Sequence, residues 1–441
     1  MVPKWKFWYK FALRFRISAC VLMSASALGA QVLPQSASIT ATAVDANGLI
    51  YLAGNISTGD LPVTPGVFEP SVPRNVCGEN AGFAQYCNHG FVAKLPPSGD
   101  RLVWATYLAG DGEDTISALA VDSGGRVFVA GSTTSTALLL RPGPFAPSPY
   151  RATPASLFVY ELSADGSFLL GGTFFGGSGQ DQIADMKLDS SGHVYIAGTA
   201  VSDPFPTTPG VYQPNRSAGY SDQFVAEFDP SLTRLLLSTL VGGTVQYTAS
   251  ALALGPDATI YVTGTAGYLR GPGPAGGVLT RLSPDGASVI DSLFNQEVIS
   301  GIYTVAVDSA SNVYYGTDSR AFGLAPPEGA VTKLDVQGNQ LASQQALGSI
   351  RALAAGPETC GARSRRRSRR PAPPRARPAI RPAGVRQPAR CRSAAHSPRA
   401  PALPSRTRPR ESRRRSRAPL PRCVRRGAGR APRRPAPAGS G

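Results

Sequence analysis

Short runs of alternating apolar and polar residues fill the middle of the chain, and one phrase of this alternation recurs. Each copy is an apolar run ending near an aspartate, a turn, and a second run that contains an aromatic residue and ends in glycine. The runs are rich in Val, Ile, Tyr and Phe and are bounded by Gly, Asp, Asn and Pro, which is typical of β-strands rather than helices. The five copies span residues 43–54, 120–131, 187–198, 253–264 and 306–316.

A second pair of apolar runs follows each copy, so each unit is predicted to contain four strands. In the third unit these runs are 223–229 and 235–241, and in the first unit they are 91–95 and 102–108. The glycines that close successive copies lie 77, 67, 66 and 52 residues apart. Four strands repeated at this spacing are typical of propeller blades. The sequence therefore predicts an all-β fold, a β-propeller of four-stranded antiparallel blades.

The predicted repeat domain covers residues 31–358. It ends at the start of a sixth unit at 349, where 349–358 parallels 250–257. A closed five-bladed ring and a truncated arc of a larger propeller are both compatible with this number of units. The five complete units are placed at about 39–110, 115–177, 183–243, 248–294 and 302–348.

The third unit carries the fullest motif. It contains Asp189-Ser-Ser-Gly-His-Val-Tyr-Ile-Ala-Gly198, Phe205-Pro-Thr-Thr-Pro-Gly-Val-Tyr-Gln-Pro214 and Ser238-Thr-Leu-Val-Gly-Gly243, and the first unit matches its middle segment at 60–70. These motifs resemble the bacterial seven-bladed β-propeller repeat (SBBP-type) family, over about residues 39–356. The resemblance implies a secreted or surface-displayed propeller, usually without assigned catalysis, and it transfers no catalytic residue to this chain.

Three repeated positions of the motif have structural explanations. An aromatic residue recurs at one position of the second strand, as expected for packing between blades. The glycine that closes this strand is expected either to adopt a positive φ or to allow close backbone approach. The aspartate of each turn is expected to cap the turn rather than to bind calcium, because no Asp-x-Asp-x-Asp-Gly loop with a distal Glu occurs.

Residues 1–30 are predicted to be an export signal. Five basic residues precede the apolar stretch 17–30, whose small terminal residues suit signal peptidase, with Ala30 as the last residue removed and Ala27 as an alternative. An uncleaved signal anchor is the other interpretation, although the stretch is short for a bilayer span. We expect a secreted or cell-envelope protein with no transmembrane segment after signal removal.

Two cysteines lie between the signal and residue 358. Cys77 and Cys87 have nine residues between them, and in an oxidising compartment they are predicted to form a local disulfide. A metal site is the less favoured alternative, because His89 is adjacent but no further Cys pair or His follows at ligand spacing.

Blade topology predicts the face on which binding residues lie. In an up-and-down blade, the loop between strands two and three emerges on the same side as the connection to the next blade. Here those loops are the long inserts 55–90, 132–156, 199–222, 265–276 and 317–328. Loops on a rigid scaffold commonly carry function, so we expect this face to bind an extracellular glycan or protein, or a cation. For any single acid, a solvated turn residue is the favoured alternative. The candidate binding-face residues are Asp111, Glu113, Asp114, Asp181, Tyr212 and Tyr220.

Motifs of known catalysis are not found in the sequence. There is no His-Glu-x-x-His, Walker A or Gly-x-Ser-x-Gly, and the prolines of 271–276 make its Gly-x-Gly-x-x-Gly match a loop. His193 lies at a turn position where other units have Leu, Arg, Thr or Asn, and we do not expect it to be a catalytic base. We therefore predict a non-enzymatic binding or structural scaffold without a cofactor. A polysaccharide hydrolase or lyase is the alternative.

Charge divides the chain sharply. The formal net charge of +17 combines 45 basic with 28 acidic residues, but residues 359–441 hold 26 arginines and one acid, and 31–358 carry −13. The tail has no Lys, Asp, Phe, Tyr or Trp, and its favoured residues have GC-rich codons. We interpret it as a frameshifted translation of further blades and expect it to be disordered. The alternative is a basic arm for nucleic acid or anionic surfaces; without aromatic residues for base stacking, no specific nucleic-acid partner is expected.

Overall fold

The repeated strand pattern folds into five four-stranded antiparallel sheets within the described residues, so the predicted fold class is confirmed. In each sheet the strands form a meander in chain order: short polar turns join the first strand to the second and the third to the fourth, and a longer insert joins the second to the third. A two-stranded hairpin is inserted in the first sheet. The structure, a computed structural model, describes residues 32–80, 83–135, 156–267, 276–295, 301–319 and 328–347, with Ile350 and Leu353. The predicted signal and the arginine-rich tail lie outside these residues.

The strands have closely similar lengths in all sheets. The first sheet contains β1 (Ser38–Val44), β2 (Ile50–Ile56), β5 (His89–Leu95) and β6 (Trp104–Leu108), and its inserted hairpin contains β3 (Val76–Asn80) and β4 (Phe83–Tyr86). The second contains β7 (Asp114–Val121), β8 (Val127–Thr133), β9 (Ser156–Leu162) and β10 (Leu169–Phe175). The third contains β11 (Gln182–Leu188), β12 (Val194–Ala200), β13 (Asp222–Phe228) and β14 (Leu235–Val241). The fourth contains β15 (Gln246–Leu254), β16 (Ile260–Gly267), β17 (Gly276–Leu282) and β18 (Val289–Asn295). The fifth contains β19 (Ile302–Val307), β20 (Val313–Ser319), β21 (Glu328–Leu334) and β22 (Gln340–Leu347).

Neighbouring sheets pack face to face, and the hydrophobic core lies between them. The first strand of each sheet packs on the preceding sheet: β7 on the first, β11 on the second, β15 on the third and β19 on the fourth. Between the second and third sheets, Phe175 meets Phe224 and Phe228 edge-on, with ring centroids 5.8 and 5.4 Å apart. Burial of each such ring contributes about 1.5–3 kcal/mol. The buried apolar side chains of the described residues form five clusters. Four of these clusters combine residues of two neighbouring sheets.

In the first four sheets, a β-bulge explains the repeated glycine of the second strand. The first strands of all five sheets shift register at equivalent positions, for example between Ile183 and Asp185. The bulge presses a carbonyl onto the facing strand: a Cβ on Gly198 would lie 2.0 Å from the oxygen of Gln182. A Cβ on Gly54, Gly131 or Gly264 would likewise lie 2.0, 1.8 or 1.7 Å from a backbone oxygen of the first strand. None of these four has a positive φ, so close backbone approach is the reason for glycine here.

The turn between the first and second strands has the same geometry in several sheets, and its aspartate caps it, as predicted. Asp189 Oδ1 accepts hydrogen bonds from the backbone N–H groups of Ser191 and His193, both at 2.8 Å. Asp45, Asp122 and Asp308 accept equivalent pairs in their own sheets. Such Asx turns satisfy backbone donors that would otherwise be left at the end of the strand.

The strand register also places a charged residue of the third strand beside the aromatic residue of the second. Both belong to the same end of the sheet as the aspartate turn. The cross-strand pairs are Tyr51 with Lys94, Phe128 with Glu161, Tyr195 with Glu227, Tyr261 with Arg281, and Tyr314 with Lys333.

Candidate functional site

Inserts and inter-sheet connections meet at one edge of the sheets within the described residues, as blade topology predicted. The connection 110–114 lies against the second insert, where the Thr134 N–H donates to the Glu113 carbonyl at 2.8 Å. It also lies against the first insert, where Asn75 Nδ2 donates to the Asp111 carbonyl at 2.9 Å. The third insert meets the first strand of the fourth sheet, where the Tyr247 N–H donates to the Ser221 carbonyl at 2.8 Å.

Two of the predicted face carboxylates are buried and bind the protein's own donors. Asp114 is 0% exposed and accepts hydrogen bonds from the Gly110 N–H and from the hydroxyls of Thr133 and Ser135. Burial raises the pKa of Asp114 against the lowering effect of these donors. Asp181 is 3% exposed and occupies the equivalent place before the third sheet, bound to the backbone and hydroxyl of Ser202. These acids hold the loops in position and do not reach a ligand.

The other predicted residues lie at or near the surface but do not come together. Glu113 is half-buried and accepts hydrogen bonds from the backbone and side-chain amide of Asn88, both at 3.2 Å. Tyr212 and Tyr220 expose 47% and 61% of their surface on the third insert. Asp111 is exposed at the edge of the first insert. Glu113 thereby contacts Asn88, a residue of the cleft described next.

The first insert carries a hairpin that a disulfide fastens at its base. The structure joins Cys77 and Cys87, with Cα atoms 4.9 Å apart, across β3 and β4. The Cys87 N–H also donates to the Asn75 carbonyl at 2.9 Å. His89 begins β5 beneath the hairpin, where its Nε2 lies 3.1 Å from the Pro73 carbonyl. The hairpin therefore has a fixed base although it extends beyond the sheet.

An open cleft of about 390 Å³ lies between this hairpin and the end of β2. Its lining combines polar side chains with apolar surface and has one aromatic side: Tyr86 is 47% exposed, and Arg74 donates from Nη2 to the Thr58 carbonyl at 3.3 Å. The lining offers hydroxyl, amide and guanidinium groups beside a tyrosine ring, a set suited to a polyhydroxylated ligand. The lining residues are Ser57, Thr58, Arg74, Ala84, Gln85, Tyr86 and Asn88.

The sequence did not identify these lining residues. Ser, Thr, Gln and Asn in a loop carry no motif, and Arg74 has no charged cluster around it in the sequence. The sequence signals were the long insert 55–90, placed on the predicted binding face, and the Cys77–Cys87 pair, which predicted a pinned loop. Neither indicated which side chains the hairpin would turn toward β2.

A proline-containing segment of the first insert forms hydrogen bonds with two sheets. Residues 64–69 run along β6, where the Thr64 N–H donates to the Ala105 carbonyl at 3.3 Å. The Phe68 N–H then donates to the Gly166 carbonyl of the second sheet at 2.8 Å. The third insert repeats this arrangement, with the Tyr212 N–H on the Gly286 carbonyl of the fourth sheet at 2.8 Å. Each insert therefore ties its own sheet to the next one.

No helix of the length and apolarity that a bilayer span requires occurs in the described part of the chain.

Comparison with solved structures finds propeller-like neighbours at low identity. A protein of unknown function from Dyadobacter fermentans has a TM-score of 0.41 at 11% identity, covering 72% of this chain and 84% of that one. An ulvan lyase of a new polysaccharide lyase family has a TM-score of 0.43 at 10% identity, covering 71% and 70%. A Hadza microbial sialidase has a TM-score of 0.40 at 9% identity, covering 71% and 58%.

Sequence comparison gives one family match. No curated protein matches the chain. The family model of the SBBP β-propeller repeat matches residues 103–138, which run from the last strand of the first sheet through the first two strands of the second. The chain therefore carries the β-propeller repeat of the SBBP family, as the motifs of its third unit predicted.

Proposed function

We propose that this β-propeller repeat protein is exported and acts as a non-enzymatic scaffold that binds an extracellular glycan in the cleft of the first insert. The observation that carries the proposal is the lining of that cleft, where the ring of Tyr86 stands beside amide, hydroxyl and guanidinium groups. The face on which it lies is the one that blade topology predicted for binding.

The chemistry of the lining suits sugars. The half-exposed Tyr86 ring presents an apolar surface on which the C–H face of a pyranose can pack. Gln85 and Asn88 each offer donors and an acceptor to neighbouring hydroxyl groups, and Arg74 adds one cation. A single cation among neutral groups favours a neutral or weakly acidic glycan over a highly charged polyanion.

The cleft is also held in shape before any ligand arrives. The disulfide closes the hairpin, Arg74 binds the Thr58 carbonyl, and Glu113 fixes Asn88 from the neighbouring connection. Ordered side chains lower the entropy that binding must otherwise remove. This rigidity supports a recognition site more than a mobile loop.

Export is the second part of the proposal. A Cys77–Cys87 disulfide forms and persists in oxidising compartments, which agrees with the basic and apolar pattern of residues 1–30. Expression with residues 1–30 and fractionation of the host cells tests this part, with the mature chain expected outside the cytoplasm and beginning near Gln31. Retention in the cytoplasm with free thiols would contradict it.

A glycan array followed by calorimetry on the full chain tests the binding site. We expect Tyr86→Ala to lower the affinity for the glycan selected on the array by at least about tenfold, because the stacking surface is lost. Tyr220→Ala is the control, since Tyr220 is also an exposed tyrosine, at 61%, but lies on the third insert. Equal affinity of both variants would contradict the assignment of the cleft. Chromatography of the incubated glycan tests the enzymatic alternative, and released products would contradict a scaffold role.

A further inference from the structure

A cluster of one histidine and two carboxylates lies at the turn end of the third sheet, away from the inserts. His193 Nδ1 is 3.2 Å from Asp189 Oδ2 and 3.0 Å from Glu227 Oε1. Their donor atoms all lie within 4.8 Å of one another. The side chains are 26%, 32% and 12% exposed for Asp189, His193 and Glu227, so the cluster is partly desolvated yet open to ions.

The second sheet has a permanent cation at this position. There Arg126 takes the place of His193, with Nε 2.7 Å from Asp122 and Nη1 2.5 Å from Glu161. A permanent cation thus neutralises two carboxylates that correspond to Asp189 and Glu227.

The first, fourth and fifth sheets place their cation on the third strand instead. Lys94, Arg281 and Lys333 lie over the neighbouring tyrosine rings, 4.9, 5.5 and 4.9 Å from the centroids. Among the described sheets, only the third has neither a Lys nor an Arg at either position. Lys187 is nearby on β11, but its ammonium group pairs with Asp185 at 2.6 Å. The third sheet therefore concentrates two carboxylates around an imidazole that can be neutral.

We propose that Asp189, His193 and Glu227 bind a divalent transition metal of the zinc class, which replaces the guanidinium of the second sheet. Imidazole nitrogen and carboxylate oxygen are ordinary zinc ligands at about 2.0–2.2 Å, and neighbouring ligands of a tetrahedral ion lie ~3.3 Å apart. The two nitrogen-to-oxygen distances of 3.0 and 3.2 Å are close to that separation. The ion fastens the first turn of the sheet to its third strand and leaves the fourth position to water.

Outer hydrogen bonds hold two of the three ligands. Asp189 turns Oδ2 toward the cluster because its Oδ1 accepts the N–H groups of Ser191 and His193 at 2.8 Å. The hydroxyl of Tyr195 hydrogen-bonds Glu227. Partners of this kind orient ligands in metal sites, and their loss typically lowers metal affinity about 10–100-fold.

Calorimetric titration of the chelator-treated full chain with Zn²⁺ is the first test. We expect one equivalent to bind and the melting temperature to rise by about 5 °C at saturation. His193→Arg copies the second sheet and should fold with its own cation, yet lose at least about 100-fold in Zn²⁺ affinity. Glu227→Gln keeps the shape of the side chain and should also weaken binding, by about tenfold or more.

The ligand atom provides a readout that stability alone does not. Long-range ¹H–¹⁵N spectra should show the Nδ1 resonance of His193 shift on Zn²⁺ addition, whereas His89, which is 2% exposed, should not respond. Full Zn²⁺ affinity in His193→Arg would overturn the proposal. The ion would then bind elsewhere, for example at Cys360, Cys391 or Cys423 of the tail. Absence of Zn²⁺ binding, with stabilisation on acidification alone, would also overturn it by identifying the protonated imidazole as the cation.

Discussion

At the scale of single residues, the repeat is maintained by contacts between backbone atoms as much as by the core. In the first four sheets, the bulge of the first strand leaves no room for a side chain on the facing glycine of the second strand. These glycines are Gly54, Gly131, Gly198 and Gly264. At Gly198 a Cβ would meet both the Gln182 carbonyl at 2.0 Å and the Phe224 ring at 2.5 Å. A repeated glycine of this kind is a packing requirement, since its φ is one that any residue adopts.

Gly198→Ala should therefore destabilise the protein by about 3 kcal/mol, because neither the carbonyl nor the buried ring can move away easily. Chemical denaturation of the full chain measures this change. Gly243→Ala is the control: its Cβ would lie 3.5 Å from the Tyr247 ring, an ordinary contact, and its cost should stay within about 0.5 kcal/mol. Similar costs for both variants would show that glycine is needed at 198 for another reason.

At the scale of elements, the insert segment acts as an added partner for the outer strand. In the first insert, Glu69 Oε2 accepts the Ala109 N–H at 2.9 Å, just beyond β6. In the third insert, Gln213 Oε1 accepts the Gly242 N–H at 3.0 Å in the same place. Burial raises the pKa of Glu69 to about 7, opposed by the Ala109 hydrogen bond and aided by the nearby Asp114. The neutral amide of the third insert avoids this penalty.

Glu69→Gln should raise the melting temperature at pH 8 by about 2–4 °C and change it little at pH 5. The folded carboxyl keeps its proton to a higher pH than the unfolded one, whose pKa is near 4.5. Stability is therefore full below pH 4.5 and falls as the pH rises through about 7. Gln213→Glu is the reciprocal variant and should lose stability more at pH 8 than at pH 5. A pH-independent difference for both would contradict the ionisation argument.

The disulfide belongs to the hairpin and not to the sheets, so its removal should act locally. Cys77→Ser with Cys87→Ser should change the melting temperature by less than about 2 °C, because the closed loop lies wholly within the first insert. The same variant should be cleaved faster by protease near 77–87 and should bind the selected glycan more weakly. A large loss of global stability would instead indicate that the hairpin supports the core.

How far the sequence predicts this molecule depends on whether a feature repeats. The strands, the Asx turn at Asp189 and the glycine at 198 recur in several units, so alternation and spacing identify them. The burial of Asp114 and Asp181 was not predicted, because an acid in a Gly-rich connection looks the same whether it is solvated or enclosed by hydroxyl groups. The cleft was missed for a related reason: Arg74 and Tyr86 occur once, and the path of the hairpin sets their positions.

At the scale of the molecule, the fifth sheet differs from the others in what covers it. The third strands β5, β9, β13 and β17 are buried along their whole length, whereas Val331 and Lys333 of β21 are partly exposed. Ile350 packs on this sheet, 2.5 Å from a Cβ built on Gly316, much as Ile302 meets Gly277 at 2.6 Å. Ile350 therefore covers part of the fifth sheet, on its second strand, whereas Ile302 lies on the third strand of the fourth.

A variant translated after residue 358 in a frame that continues the repeat should therefore be more stable than the 441-residue chain. A sixth sheet would cover β21, and in repeat proteins each added interface stabilises its neighbour. We expect the melting temperature to rise by about 5 °C and β21–β22 to resist protease longer. A chain ending at Glu358 is the control. It should melt within about 2 °C of the 441-residue chain, because residues 359–441 have few large apolar side chains to bury. A markedly lower melting temperature of this control would show that the arginine-rich tail packs on the sheets, and the frameshift interpretation would then be wrong.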